Sequence, residues 1–352
     1  MSDLSLRNGL RSLAPIVAAS ALMAAPAAQA STFMDTLSTV SQTYNLYVSG
    51  DLGSASSPNA NSDVEGKVAA GGSAYLQGYD IGSKNAGGDA LVVGQNLKFQ
   101  SGTVHGDVVT GGSANFPHSG GGATVNGTVS AGGGVAATPT SYSGTTTYTG
   151  LPLTFSAISA DLASASAYLA SSAAQSQGTL GVATNSYGTL TLTSAATGLV
   201  FFDLKASDLV GINGLKFNVD PTATVIINLT GQTGGTLSNY GFQGDYQVDQ
   251  TLFNFVDATS LSVTGLGFMG SILAPGAAIT AGYGQINGSV MAQSYSGPGQ
   301  VNWKPFTGAL PSASATATAA IPEPSTWMMM ILGVGGMGAM LRRRRRLAAP
   351  HA

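Results

Sequence analysis

Residues Val68 to Leu76 read VAAGGSAYL, and the same nine-residue frame returns as Leu91 to Phe99 (LVVGQNLKF), Val108 to Phe116 (VVTGGSANF) and Val129 to Ala137 (VSAGGGVAA). The spacing of these starts is uneven, and a related frame comes back late as Ile272 to Thr280 (ILAPGAAIT) and Val290 to Gly297 (VMAQSYSG). Five copies share a lead-in of the form apolar-x-Gly-x-apolar: Val64 to Val68, Val104 to Val108, Val125 to Val129, Phe268 to Ile272 and Ile286 to Val290. Period-two alternation marks a strand with one buried face, and a central glycine allows a bend or a close backbone approach. The following Gly-Gly is read as a positive-φ turn into the next face. Short strands and glycine corners that recur at a repeat-protein period describe a mainly β chain coiled as a β-solenoid (β-helix), right- or left-handed, whose rungs stack their side chains into one core.

Working outward, residues 138–150 are rich in Pro, Thr, Ser and Gly and read as a loop. Phe155, Ile158, Leu162, Ala165 and Leu169 then form one helical stripe. The spacing predicts one long α-helix over about 153–175, packed lengthwise on the solenoid. After it, residues 189–192, 199–204, 215–219 and 224–229 read as strands that rejoin the stack.

The two ends have other patterns. Residues 1–30 have the layout of a signal peptide: Arg7 and Arg11, an apolar run from Leu13 to Ala25, and Ala28-Gln29-Ala30 as a small-x-small site with cleavage expected after Ala30. Sec-type export machinery is the partner that this signal implies. Residues 311–321 form a Ser/Thr/Ala linker. Pro322-Glu323-Pro324 is stiff and extended, Trp327 to Leu341 is an uncharged apolar segment, and Arg342, Arg343, Arg344, Arg345 and Arg346 close it with five cations. A helix of that length reaches roughly 22 Å, short of the ~30 Å hydrocarbon core, so it is expected to be a short transmembrane helix and a transient inner-membrane anchor.

Composition excludes several classes. Charged residues are only 8% of the chain and glycine accounts for 49 of 352 residues, about twice the usual ~7% share. Every arginine lies in the two end segments, and the body from Ser31 to Ala320 holds six lysines against thirteen aspartates and one glutamate, a net of −8. Such a surface repels phosphate backbones, so no nucleic acid is expected as a partner. With no cysteine there are no disulfides, thiolate metal sites or cysteine nucleophiles. Neither a paired-His metal motif, a G-x-S-x-G elbow nor a P-loop lysine occurs, and the chain is expected to be no enzyme, with no catalytic residue, metal or cofactor. His105 and His118 read as surface residues. Asp51, Asp63, Glu65, Asp80, Asp89 and Asp107 could form an acidic strip, but without calcium-loop spacing they read as solvated carboxylates.

The tail, Pro322-Glu323-Pro324 followed by a short helix and an arginine cluster, resembles the PEP-CTERM sorting signal (residues 322–346) of Gram-negative, exopolysaccharide-producing bacteria. That resemblance implies processing by an exosortase in the inner membrane and delivery to the cell surface or extracellular matrix. The body, residues 31–310, resembles the choice-of-anchor A family through Tyr44 to Leu52 (YNLYVSGDL), Ser62 to Gly72 (SDVEGKVAAGG) and Phe253 to Pro275. Its order of rungs, helix and further rungs is also similar in layout to bacterial ice-binding domains. The expectation is therefore an exported structural or adhesive surface protein that contacts exopolysaccharide, with a carbohydrate-active β-helix enzyme as the alternative. An ice-binding-like protein stands behind both, because ice binding needs a flat Thr/Ser ladder. The outward positions of the lead-ins, Glu65, Lys67, His105, Asp107, Asn126 and Thr128, are mixed.

Overall fold

The structure is a computed structural model, and it describes residues 26–117 and 121–312. Each full rung contributes three short strands, as in Asp89–Val93, Leu97–Phe99 and Gly102–Val104, so the stack has three faces around one apolar core. The repeated frames lie side by side: Val68 pairs in register with Leu91, Leu91 with Val108, and Val108 with Val129.

Chain order and stacking order differ. Along one face the parallel strands run Val129–Ala131, Asp107–Thr110, Asp89–Val93, Lys67–Ala70, Tyr44–Val48, Val290–Ser296, Ser271–Ala281, Thr251–Phe255, Thr224–Thr230, Leu199–Lys205 and Thr179–Leu180. The chain thus starts in the middle, coils outward to one end, crosses to the other end and coils back until its last rungs meet its first. Leu46 is the junction, paired with Val68 on one side and Val290 on the other.

Helices cover this face. Helix α1 (Pro26–Thr43), which the sequence pattern did not announce, packs beside the crossing helix α2 (Phe155–Leu169) through Met34, Leu37 and Val40. Helix α2 carries the stripe expected from sequence and buries Leu162, Ala165 and Leu169 against the outer side of the face. Because both sides of the central strands are covered, they are mostly apolar, as in Tyr44–Val48, where every residue is buried and Asn45 is the one strongly polar side chain. The expected single helix over 153–175 is corrected to two: the chain breaks at Ala170–Ser171 and resumes as α3 (Ser172–Gln175). Ser171 causes the break, since its hydroxyl donates to Tyr168 O and accepts from Ala174 N, starting a new helix instead of extending the old one. Asn228 and Asn254 take over the end of α2, donating to Leu169 O at 3.0 Å and Ser166 O at 2.9 Å.

Two glycine roles also need correction. The apolar-x-Gly-x-apolar lead-in is not one strand but a corner: Val64 ends one strand, Lys67 begins the next, and Gly66 lies between them. The corner column Gly71, Gly94, Gly111 and Gly132 is not at positive φ. A Cβ on Gly94 would lie 2.1 Å from Gly71 O, and one on Gly111 would lie 2.3 Å from Gly94 O. These residues are glycine because successive rungs touch backbone to backbone.

At the junction, the chain enters directly from α1 and no lead-in strand precedes Tyr44. The buried Asn45 side chain fills that gap in the ladder. Its Nδ2 donates to Gly288 O at 2.8 Å and Asn302 O at 3.1 Å, and its Oδ1 accepts from Gly66 N at 3.0 Å. On the third face, Asp63 sits in a row between Gln300 and Asp80. Burial and then the charges of Glu65 and Asp80 raise its pKa above the ordinary carboxylate value, partly offset by a hydrogen bond from Gln300.

Three outcomes follow for chemical denaturation. Asn45→Asp, which turns two donated bonds into repulsions, is expected to cost about 3 kcal/mol or more. Gly94→Ala should cost about 1–3 kcal/mol by overpacking, while Gly198→Ala, whose added carbon meets nothing within 4 Å, stays within about 0.5 kcal/mol or stabilises. Because Asp63 holds its proton more tightly when folded, its stabilising contribution is present below the unfolded value and lost as pH rises through the raised folded value. Stability of the parent therefore climbs on acidification toward pH ~4 relative to Asp63→Asn, and the variant is the more stable at neutral pH.

Candidate functional site

With one face under helices, the candidate surface is the next one. It is built from Thr236–Ser238, Ser260–Thr264 and the second halves of Ser271–Ala281 and Val290–Ser296. Alternation sends Leu237, Leu261, Val263, Ile279, Ala281 and Tyr295 into the core. The intervening residues point out and fall into rows by register. Thr236 pairs with Ser262, Ser262 with Thr280, and Thr280 with Ser296. Beside this row lie Ser238 with Thr264, and Ser260 with Ala278 and Ser294.

The result is a hydroxyl array over four rungs, about 4.8 Å apart between rungs and about 6.6 Å along each strand. Its regularity has identifiable causes. Ladder hydrogen bonds fix the rung spacing, and Gly282 has no side chain where one would lie 2.1 Å from Thr264 Oγ1. Thr236 Oγ1 donates to Ser262 Oγ at 3.3 Å, tying neighbouring rungs together. No side chain in these rows is charged, and Tyr283, 80% exposed, stands at the rim. Hydroxyls both donate and accept and lose little on desolvation compared with charges, so the array suits a broad, neutral, polar contact. Toward the other half of the stack the same face changes character, with Tyr75 beside Lys98 and Lys98 beside Asn115.

The acids singled out from sequence serve mainly as ladder caps. Asp51 Oδ1 accepts from Ser73 N at 2.7 Å, Asp80 Oδ1 from Thr103 N at 2.9 Å, and Asp107 Oδ1 from both the backbone and the hydroxyl of Thr128 at 2.7 Å. Glu65 accepts from Trp303 N. Asp89 and Asp107 also line an open groove of about 340 Å³ with Thr128, Thr146 and Thr147. Among the described residues, no three of His, Asp or Glu are arranged to hold a metal ion, and no helix is long and apolar enough to cross a membrane. His105 lies by Asn126 on the surface, 3.4 Å between side-chain nitrogens. His118, residues 1–25 of the signal, and the whole sorting segment with Pro322, Glu323, Pro324, Trp327 and Arg342–Arg346 lie outside the described residues. Ala28 and Ala30 fall within α1.

The hydroxyl face is not legible at the lead-ins, because those are corners beside the third face. The available signal was the alternation in Ser260-Leu-Ser-Val-Thr264 and Ser294-Tyr-Ser296.

No curated protein and no solved structure matches this chain. Residues 320–346 match the PEP-CTERM protein-sorting motif, which implies exosortase processing and export to the cell surface. The matching model for the body does not carry the choice-of-anchor A name. Residues 37–303, well over half the chain, match the family described as "Putative Ice-binding-like adhesive domain". The chain belongs to that family of ice-binding-like adhesive domains.

Proposed function

We propose that this protein is a non-enzymatic adhesin of the cell surface or extracellular matrix, whose contact surface is the hydroxyl array and whose ligand is neutral exopolysaccharide. Its signal peptide takes it through Sec-type machinery, the inner membrane holds it transiently by its short tail helix, and exosortase processing delivers it outward. The observation that carries the reading is the Thr236–Ser262–Thr280–Ser296 row: uncharged, in register and repeated at the rung spacing. A polysaccharide strand laid across it meets donors and acceptors at a fixed interval, and Tyr283 offers an apolar ring face at the border. The engagement of Asp51, Asp80 and Asp107 as caps supports a non-catalytic role over the β-helix glycosidase alternative.

The same regular hydroxyl rows favour a second reading, contact with an ice lattice. Weighing against it, half of the row is serine without a methyl group, and the rows give way to Tyr75 and Lys98 within the same face.

Retention on immobilised matrix polysaccharide tests the first reading. The paired change Ser260→Tyr with Thr280→Tyr, both exposed positions, should lower retention at least about tenfold, with the thermal melt of the fold unchanged. Retention equal to the parent sinks the proposal. Inhibition of ice recrystallisation that the same pair abolishes would establish the second reading instead.

A further inference from the structure

The end of the stack reached after the crossing helix closes with an antiparallel hairpin. Among the described residues its outer strand Val182–Ser186 pairs only with Thr189–Thr193 and forms the edge of a four-stranded sheet. Tyr187 and Gly188 make a two-residue turn with φ of 50° and 79°, a type I′ geometry. Asn213 anchors the turn, its side chain donating to Tyr187 O and its backbone to Gly188 O. Across such a turn the closing pair, Ser186 with Thr189, is hydrogen-bonded. Alternation then makes Thr184 with Thr191 and Val182 with Thr193 hydrogen-bonded too. The N–H and C=O of Ala183 and Asn185 consequently point outward along the free edge.

Edges are usually blunted by charge or proline, and this one is not. From Gly178 to Phe202 there is neither a charged residue nor a proline, in a body whose net charge is −8. Large apolar side chains are exposed here: Leu180 at 58%, Val182 at 62%, and Tyr187 at 99% in the left-handed region that L-residues avoid.

We propose that this edge is a homotypic interface, in which two copies of the chain pair their Val182–Ser186 strands antiparallel about a two-fold axis through Thr184. That register places Ala183 of one copy opposite Asn185 of the other, so the outward groups of both strands satisfy each other in four hydrogen bonds. The Tyr187 turn of each copy then lies beside Gly181 and Val182 of the other, covering the exposed apolar side chains. A second copy is the fitting occupant because the edge is self-complementary in register. It is also a stretch where two acidic bodies meet without opposing charges. The outcome joins two solenoids end to end and presents two hydroxyl faces on one rigid particle.

Thr184 faces itself across the axis as a non-hydrogen-bonded pair, with Cα atoms about 4.5 Å apart, within disulfide reach. The chain has no cysteine, so a single introduced thiol reports on this contact alone. In the full chain from the exporting cell, Thr184→Cys should form a disulfide dimer under mild oxidation at least about tenfold faster than Ser56→Cys, placed in an exposed loop. Thr184→Lys, with an unchanged thermal melt, should weaken dimerisation in sedimentation equilibrium at least about tenfold. Equal cross-linking rates for the two thiols would overturn the proposal. So would a parent that sediments as a monomer at the same concentrations, or open-ended assemblies indifferent to Thr184→Lys.

Discussion

The pairing of one strand, Tyr44–Val48, on both of its edges is the constraint on which this architecture rests. Ordinary solenoids are nearly one-dimensional: each repeat touches its neighbours, and stability is a sum of local terms. Here the central rung borders Lys67–Ala70, a neighbour in sequence, and Val290–Ser296, which comes from the far end of the body. Closing so long a loop costs little more entropy than closing one half as long, because the cost grows only logarithmically. The contact order is high, however, so assembly should be slow relative to helical domains of this size. Asn45 is the local device that makes the join seamless. A side-chain amide has the donor and acceptor of a peptide group, and at this position it stands in for the peptide that a chain entering mid-stack cannot supply.

The join determines which surfaces remain available. Both halves present one continuous face to α1 and α2, which bury its middle, while an open groove lined by Asp89, Asp107 and Thr128 remains toward one end. On the third face, polar side chains bond from rung to rung, as Asp80 Oδ1 accepts from Thr103 N and Asp63 from the Gln300 side chain. Asp63 there is held among like charges at the expense of its ionisation. The hydroxyl face keeps most of its outward hydroxyls for other partners; the fold itself uses the bonds from Thr236 Oγ1 to Ser262 Oγ and from Ser296 Oγ to Ile279 O. A regular surface with hydroxyls left over from the fold's own bonding has what a contact site needs.

How far the sequence exposed this depends on whether an element is local. The nine-residue frames stack in the register that their alignment implied, and the helical stripe Phe155 to Leu169 buries the expected side. The stacking order was not legible, because nothing in Leu46 or Val290 distinguishes a strand that pairs with its neighbour from one that pairs across the whole chain. The glycines misled for a related reason. A glycine required by an adjacent rung and one required by a positive φ look identical in sequence, and only the 2.1 Å approach at Gly94 separates them. The hydroxyl rows are visible as alternation strand by strand, yet the face they share exists only once the rungs are stacked.

The same topology fixes where the two ends of the described chain leave the body. Met34, Leu37 and Val40, the residues that seat α1, follow Ala30, so removing a signal at that point leaves the packing of the junction intact. At the other end, residues 303–312 return over the helix-covered face, burying Phe306 and setting Ala309 N against Thr224 Oγ1. Both ends converge on Tyr168, whose ring contacts Phe33 at 5.6 Å and whose hydroxyl donates to Ser312 O at 2.8 Å. A chain that enters mid-stack and exits mid-stack has its termini side by side on one face. Any tether attached through the tail therefore pulls on the helix-covered side, and the hydroxyl face, a different side of the prism, is left unobstructed. A solenoid coiled from one end to the other would instead put its two ends at opposite poles, a stack length apart.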